Sequence, residues 1–99
     1  MPRVARAWSV VTKAVTTPGT AVQLAQSFVP EGHHVRLVNR TTNTGNLYLG
    51  NSQTAAQTAA TRTILRPSEA CVLQVMDTNL IWMDAESSSD SLEIIVEQD

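Results

Sequence analysis

Residues 43–52 read NTGNLYLGNS and combine turn chemistry with a short alternating strand signal. Leu47 and Leu49 flank Tyr48, and this period of two places both leucines on one face of a strand and the tyrosine on the other. The Asn-Thr-Gly that precedes them tolerates the positive φ of a tight turn, and the Gly-Asn that follows them ends the strand. The segment therefore predicts one arm of a β-hairpin, with the two leucines in the core.

The same period recurs on both sides of this segment. Val35 and Leu37 alternate with Arg36, and near the end of the sequence Leu92 and Ile94 alternate with glutamates. Other segments rich in β-branched residues, each bounded by turn residues, are WSVVTKAVTT, TAVQLA, ILRPSEACVLQVM and NLIWMDA. About seven to eight short strands at roughly ten-residue spacing predict an all-β protein, either a small antiparallel β-sandwich or a jelly-roll-like barrel.

One long segment has no strand pattern. Residues 51–63 are small, polar and low in complexity. Their alanine pairs are compatible with a short helix, but the threonine content and the lack of large apolar residues favour an exposed loop. We therefore predict a loop here.

The length of 99 residues is that of a single domain, 1–99. The opening MPRVARA is basic and has no sustained period, so we expect an N-terminal arm at 1–7, ordered only against a partner, and a β core at 8–99. A domain of this size buries a modest fraction of its surface, and it often gains stability from self-association.

Charge is distributed unevenly, although the formal net charge is only -2. Residues 1–66 hold all seven Lys and Arg and a single acid, Glu31, whereas residues 67–99 hold the other eight acids and no base. Two interpretations are open. The acidic third folds back on the basic part within one domain, or basic and acidic faces on different copies meet head to tail.

The single cysteine, Cys71, excludes an intramolecular disulfide and lies in the apolar run ACVLQVM, which predicts a small buried hydrophobe. No apolar run approaches the roughly 20 residues of a membrane span, so we expect no membrane partner. The start of the chain lacks the apolar region and cleavage site of a signal peptide, which predicts a protein made in the cytoplasm.

The candidate chemical motifs are incomplete. Gly45 and Gly50 have the spacing of a phosphate-binding loop, but Asn51 occupies the lysine position and no strand-loop-helix context surrounds them. The adjacent His33 and His34 would point to opposite faces of a strand, which disfavours a shared metal.

The acidic segment DAESSSD at residues 84–90 lacks the glycine and the terminal glutamate of a calcium loop, and we interpret it as a solvated hairpin tip. Its serines lack the Gly-x-Ser-x-Gly setting of a nucleophile. We therefore expect no catalytic residues, no cofactor, no metal site and no enzymatic activity.

Nucleic acid is also disfavoured as a partner. The chain has only four aromatic residues on which bases could stack, and its acidic final third would repel a phosphate backbone. The same shortage disfavours a glycan site, for which an aromatic surface involving Tyr48 and Trp82 would be the supporting feature.

The order of the segments resembles a known class of protein. TTPGTAVQLA, VRLVNRTTNTGNLYLGNS, LRPSEACVL and NLIWMDAESSSDSLEIIVE follow one another in the manner of small all-β virion proteins of tailed bacteriophages, the capsid-decoration, head-fibre and minor structural proteins. The resemblance covers residues 16–97. It implies a hairpin turn at residues 43–45 and a second turn at Leu65-Pro67-Glu69, where Ser68 replaces the usual glycine and so indicates a turn without positive φ.

The resemblance implies a virion protein made in the host cytoplasm. It would be a capsid decoration (cement) protein that binds the major capsid protein on the outer surface of a head and also binds copies of itself, with a trimer favoured. The predicted partner contacts are Arg3, Arg6, Trp8 and Lys13. One alternative is a tail or head-fibre-base protein, and another, of a different class, is a β-sandwich module that binds glycans or small ligands.

Overall fold

The computed structural model describes residues 4–99, which form two antiparallel four-stranded sheets. The strands are β1 (Ala7–Ala14), β2 (Val22–Gln23), β3 (Val35–Asn39), β4 (Leu47–Gly50), β5 (Thr63–Leu65), β6 (Ala70–Leu73), β7 (Trp82–Ala85) and β8 (Ser91–Gln98). One α-helix, α1, spans Gln53–Gln57, and a 3-10 helix spans Thr78–Leu80. The all-β prediction is confirmed.

The strand order is that of a jelly roll. The first sheet has the order β1-β8-β3-β6, and the second has the order β2-β7-β4-β5. The first strand therefore pairs with the last, the second with the seventh, the third with the sixth and the fourth with the fifth. This is a long hairpin rolled over into two sheets, and it agrees with the predicted β-sandwich.

The prediction of a hairpin turn at residues 43–45 is wrong, although the prediction of a strand directly after it is confirmed. β3 belongs to the first sheet and β4 to the second, so this turn carries the chain between sheets. β4 pairs instead with β5 and β7. The segment ILRPSEACVLQVM likewise divides into β5 and β6, which lie in different sheets. A period of two predicts which side chains point to the core, but it does not predict which strands pair, because pairing uses backbone groups that every strand has.

The core lies between the sheets and uses the predicted inward positions. The buried cluster includes Val35 and Leu37 of β3, Leu47 and Leu49 of β4, and Leu92, Ile94 and Val96 of β8. Full burial of one such side chain is worth about 1.5–3 kcal/mol. This two-sided cluster is therefore the main source of stability.

Part of the segment predicted as an exposed loop is helical. α1 begins after Ser52, whose hydroxyl oxygen accepts a hydrogen bond of 3.1 Å from the Ala55 N–H. The Gln57 side chain accepts the Ala21 N–H at 2.8 Å, which ties the helix to the chain just before β2. Ala56 is fully buried against β4. The loop prediction is wrong for residues 53–57 because this helix packs through alanine and needs no large apolar residue.

The turn at Ser68 also differs from its prediction. Ser68 has a φ of 77°, so the turn does require the left-handed conformation that glycine adopts most readily. Its N–H donates to the Asn39 carbonyl at 2.8 Å, which holds the serine in place.

Gly50→Ala should destabilise the fold by about 2 kcal/mol, because overpacking a close backbone contact forces the elements apart. A Cβ on Gly50 would lie 2.8 Å from main-chain carbon atoms of Ala55 and Ala56. Gly45→Ala is the matched control, since its Cβ would meet side-chain atoms alone, the Ser87 hydroxyl at 2.8 Å and the Glu86 side chain at 3.0 Å, and side chains can shift more easily than the main chain. Urea unfolding measures both variants. Equal losses would contradict the close packing of α1.

Ser68→Gly should stabilise the protein by about 1 kcal/mol, because it removes the strain of a left-handed serine. Ser88→Gly, at a position without positive φ, is the control and should be slightly destabilising. Thermal unfolding followed by circular dichroism compares the two. A lower unfolding temperature for Ser68→Gly than for the wild type would show that the left-handed backbone of Ser68 is not strained.

Candidate interaction surface

β1 is paired on one side only. All eight of its residues pair with β8, from Ala7 opposite Gln98 to Ala14 opposite Ser91. Within residues 4–99, no strand pairs with its other side. The N–H and C=O groups along that side therefore form an open sheet edge.

Both faces of β1 expose apolar side chains. Trp8 and Val10 lie on the outer face of the first sheet and are 66% and 44% exposed. Val11 lies on the inner face, opposite Ile94, and is still 53% exposed. We call these three residues, together with the open backbone edge, the β1 surface.

Val11 is exposed because the second sheet is short beside it. β2 has only two residues, and beyond it the chain at residues 24–27 forms one wall of a cleft of ≈ 390 Å³. Ser9, Val11 and Lys13 form the opposite wall, and Ile94 contributes to the lining. The β1 surface therefore has an apolar cleft along its inner side.

The structure brings three of the four predicted contact residues to this strand. Arg6 lies just before β1, is exposed, and its N–H donates to the Gln98 carbonyl at 3.0 Å. Trp8 and Lys13 are strand residues, one on each face. Arg3 lies outside the described residues. Of the predicted arm, Ala7 is already the first residue of β1.

Val10 and Val11 were not among the predicted contacts. Adjacent residues of a strand point to opposite faces of the sheet. Two consecutive valines are therefore both buried only if both faces are packed against other residues, and otherwise at least one of them is exposed. That signal was present in the sequence. Its outcome depends on where the neighbouring strands end, which the local pattern does not show.

A second apolar surface lies around the chain that follows β6. Phe28 and Met76 are 67% and 69% exposed, and Leu80 is about half exposed. Clefts of ≈ 540 Å³ and ≈ 520 Å³ both include Val75 in their lining. None of these residues was predicted as a contact, because they lie in turns and connections without periodicity.

A histidine–carboxylate cluster joins the start of β3 to the end of β8. The Glu97 carboxylate accepts the His34 N–H at 2.7 Å and lies 3.1 Å from its ring Nδ1. The fully buried His33 ring places Nε2 2.8 Å from the Asp99 carboxylate. Because a carboxylate only accepts, this Nε2 carries a proton. The hydrogen bond from the His34 N–H, with smaller contributions from both rings, lowers the pKa of the Glu97 carboxyl.

These contacts hold the start of β3 against the end of β8. Within residues 4–99, no group of three or more His, Cys, Asp or Glu side chains could hold a metal ion. In the same range, no helix is long and apolar enough to cross a membrane. Cys71 is a free thiol, half-buried beside the core, and burial raises its pKa.

The acidic segment at residues 84–90 is solvated, as predicted, only at residues 86–89, whereas both of its terminal aspartates are buried. Asp84 is 3% exposed and accepts the Gly19 N–H at 2.9 Å. Asp90 is 7% exposed and accepts the Gly45 N–H at 2.8 Å. Both carboxylates therefore fix turns that lie more than 40 residues earlier in the chain.

Tyr48 occupies the face opposite Leu47 and Leu49, as predicted, but it is buried. The Arg62 guanidinium covers its ring at 3.6 Å from the centroid. A cation above an aromatic face is a stabilising arrangement. That ring face is therefore closed to a sugar, which removes one of the two aromatic residues considered for a glycan site.

Comparison with protein-family models, with characterised proteins and with solved structures gives no match for this chain. Its function must therefore be inferred from its own surfaces, and the β1 surface is the most distinctive of them.

The lowered pKa of Glu97 predicts a pH-dependent stability. A carboxyl with a depressed folded-state pKa stabilises the protein above its unfolded value, near 4.5, and this contribution is lost as the pH falls through the folded value. The free energy of unfolding of the wild type should therefore exceed that of Glu97→Gln most at neutral pH, and the difference should narrow below pH 4.5. Urea unfolding at several pH values measures it.

Glu93→Gln is the control, because Glu93 lies on the same face of β8 but does not accept the His34 N–H. A gap between wild type and Glu97→Gln that stays constant from pH 7 to pH 3 would show that the hydrogen bond has no such effect.

Proposed function

We propose that the protein is a capsid decoration protein of a tailed phage, which binds the outer surface of the head and stabilises it. The β1 surface carries this proposal. An exposed tryptophan beside an exposed valine, with Arg6 and Lys13 at either end, is typical of a protein-binding surface rather than of a solvated strand.

The sequence resemblance to phage virion proteins supports the same function. Jelly rolls serve as virus capsid domains and also as lectin domains. The fold alone does not choose between these roles, since function is determined by sites rather than by folds. The buried Tyr48 disfavours the glycan-binding alternative, and the exposed apolar edge favours a protein partner.

Binding would use the two kinds of group that β1 presents. Trp8 supplies apolar area that becomes dehydrated against the major capsid protein, and Arg6 and Lys13 pair with its carboxylates. Arg3 would extend this basic set. Each contact is small, so stabilisation of the head comes from many copies acting together, including contacts between copies.

The tail or head-fibre-base role uses the same surface but differs in copy number. A stained gel of purified virions separates the two. Hundreds of copies per head indicate decoration, and a handful indicate a tail or vertex component.

Trp8→Ala should weaken binding to heads assembled without this protein by about tenfold or more, because buried tryptophans dominate many interfaces. Cosedimentation with such heads measures the affinity. Ile64→Ala is the control, since Ile64 is also exposed but lies on β5 of the second sheet. It should bind like the wild type.

Cryo-EM of intact virions provides the direct test. We expect density for the jelly roll at regular positions on the outer surface of the head. Absence of the protein from purified virions, or heads that bind Trp8→Ala as tightly as wild type, would reject the proposal.

A further inference from the structure

We infer that β1 is a self-association edge, and that its open side pairs antiparallel with β1 of a second copy to continue the first sheet across two molecules. The inference goes beyond the proposed function, because it concerns the protein alone in solution. It assigns the partner of the open edge and the register of the contact.

The length of β1 distinguishes it from the other sheet edges. Proteins protect edges with short strands, prolines, bulges or inward charges. The other three edge strands, β6, β5 and β2, have four, three and two residues. β1 has eight, runs in unbroken register with β8 and contains no proline. Its single charge, Lys13, points to the inner face but lies at the seventh of the eight positions, so most of the edge is open to another strand.

The sequence of β1 is compatible with itself across a twofold axis. If Val10 lies opposite the partner's Val10, then Trp8 meets the partner's Thr12, and Val11 meets the partner's Ser9. Lys13 then faces the partner's Ala7. No charged residue lies opposite a like charge in this register, and the exposed apolar residues gather at the centre of the contact.

The surrounding charges also permit two basic strands to approach. Each β1 lies beside its own β8, whose Glu93 and Glu97 are on the same outer face as Trp8 and Val10. Neighbouring strands are about 4.8 Å apart, so both glutamates of each copy lie within about a Debye length of the joined basic strands. Like-charge repulsion between the two copies is offset by this acidic flank.

The size of the contact sets its strength. An edge ladder of eight residues with three exposed apolar side chains per copy is smaller than the roughly 1,600 Å² of a standard interface. We therefore expect a reversible dimer with a dissociation constant in the micromolar range or weaker. Such a contact is populated where copies are concentrated on one surface.

Sedimentation equilibrium of the full chain, from about 10 µM to 1 mM, tests the inference. Wild type should show a monomer–dimer equilibrium, in place of the trimer that the resemblance favours, because a contact across a twofold axis joins two copies. Val10→Lys and Val11→Lys place charges in the ladder, which should weaken the dimer at least tenfold. Both side chains are about half exposed, so the fold should be retained, as circular dichroism can verify.

Val72→Lys is the matched control. Val72 is a valine of the same sheet on its opposite edge, β6, and is 57% exposed. It should leave the dimer unchanged. Met76→Lys tests the second apolar surface in the same way and should also have no effect.

A disulfide test examines the register. In a Cys71→Ala background, Val10→Cys should form a covalent dimer on mild oxidation, because directly opposite Cβ atoms are close enough to bridge. Val72→Cys should not. A wild type that stays monomeric to 1 mM, or an oligomer weakened by Val72→Lys or Met76→Lys but not by Val10→Lys, would overturn the inference. Either result leaves the capsid-binding test of Trp8→Ala standing on its own.

Discussion

The buried amide of Asn39 joins the two sheets, and the rest of the jelly roll depends on this connection. Asn39 ends β3 of the first sheet, and its Nδ2 donates to the carbonyls of Leu65 at 2.8 Å and Gly45 at 3.2 Å. Its main chain bonds to Ser68 and Glu69 in the turn between β5 and β6. A buried polar group without a partner costs about 1–3 kcal/mol. The Asn39 side chain therefore supplies hydrogen-bond donors to two carbonyl groups, one of them in the second sheet.

The same network fixes the passage of the chain from β3 to β4. The Oδ1 of Asn39 accepts from Asn43 at 2.7 Å, and the Asn43 side chain exchanges two hydrogen bonds with the main chain of Ser91. Asp90 holds the amide of Gly45. The crossing between sheets is thus tied to the start of β8, which lies between β1 and β3. The acidic last strand is inserted between basic ones, which favours charge balance within one domain.

Strand faces could be predicted from the sequence, whereas strand neighbours could not. The inward positions of β3, β4 and β8 follow from a period of two, which is local. The sequence predicts Asn39 only as the end of a strand. Its role between the sheets could not be predicted, because its acceptor at Leu65 lies 26 residues away. Asp90 was predicted to be solvated for the same reason, because its donor at Gly45 lies 45 residues away. Trp8 was found from local composition, but the exposure of Val11 depends on β2 being short, which no local pattern records.

The proposed association would also affect stability, because it uses β1. Most of its residues are exposed, so the strand is held mainly by its backbone ladder with β8 and contributes little to the core. A partner that binds only the folded state adds stability by mass action, about 2.7 kcal/mol when its concentration is a hundredfold above the dissociation constant. A small domain with an open edge gains most from such a partner, because its own core is limited. In the proposed assembly, the open edge of β1 would be covered, and the strand would gain the partner that the isolated chain does not give it.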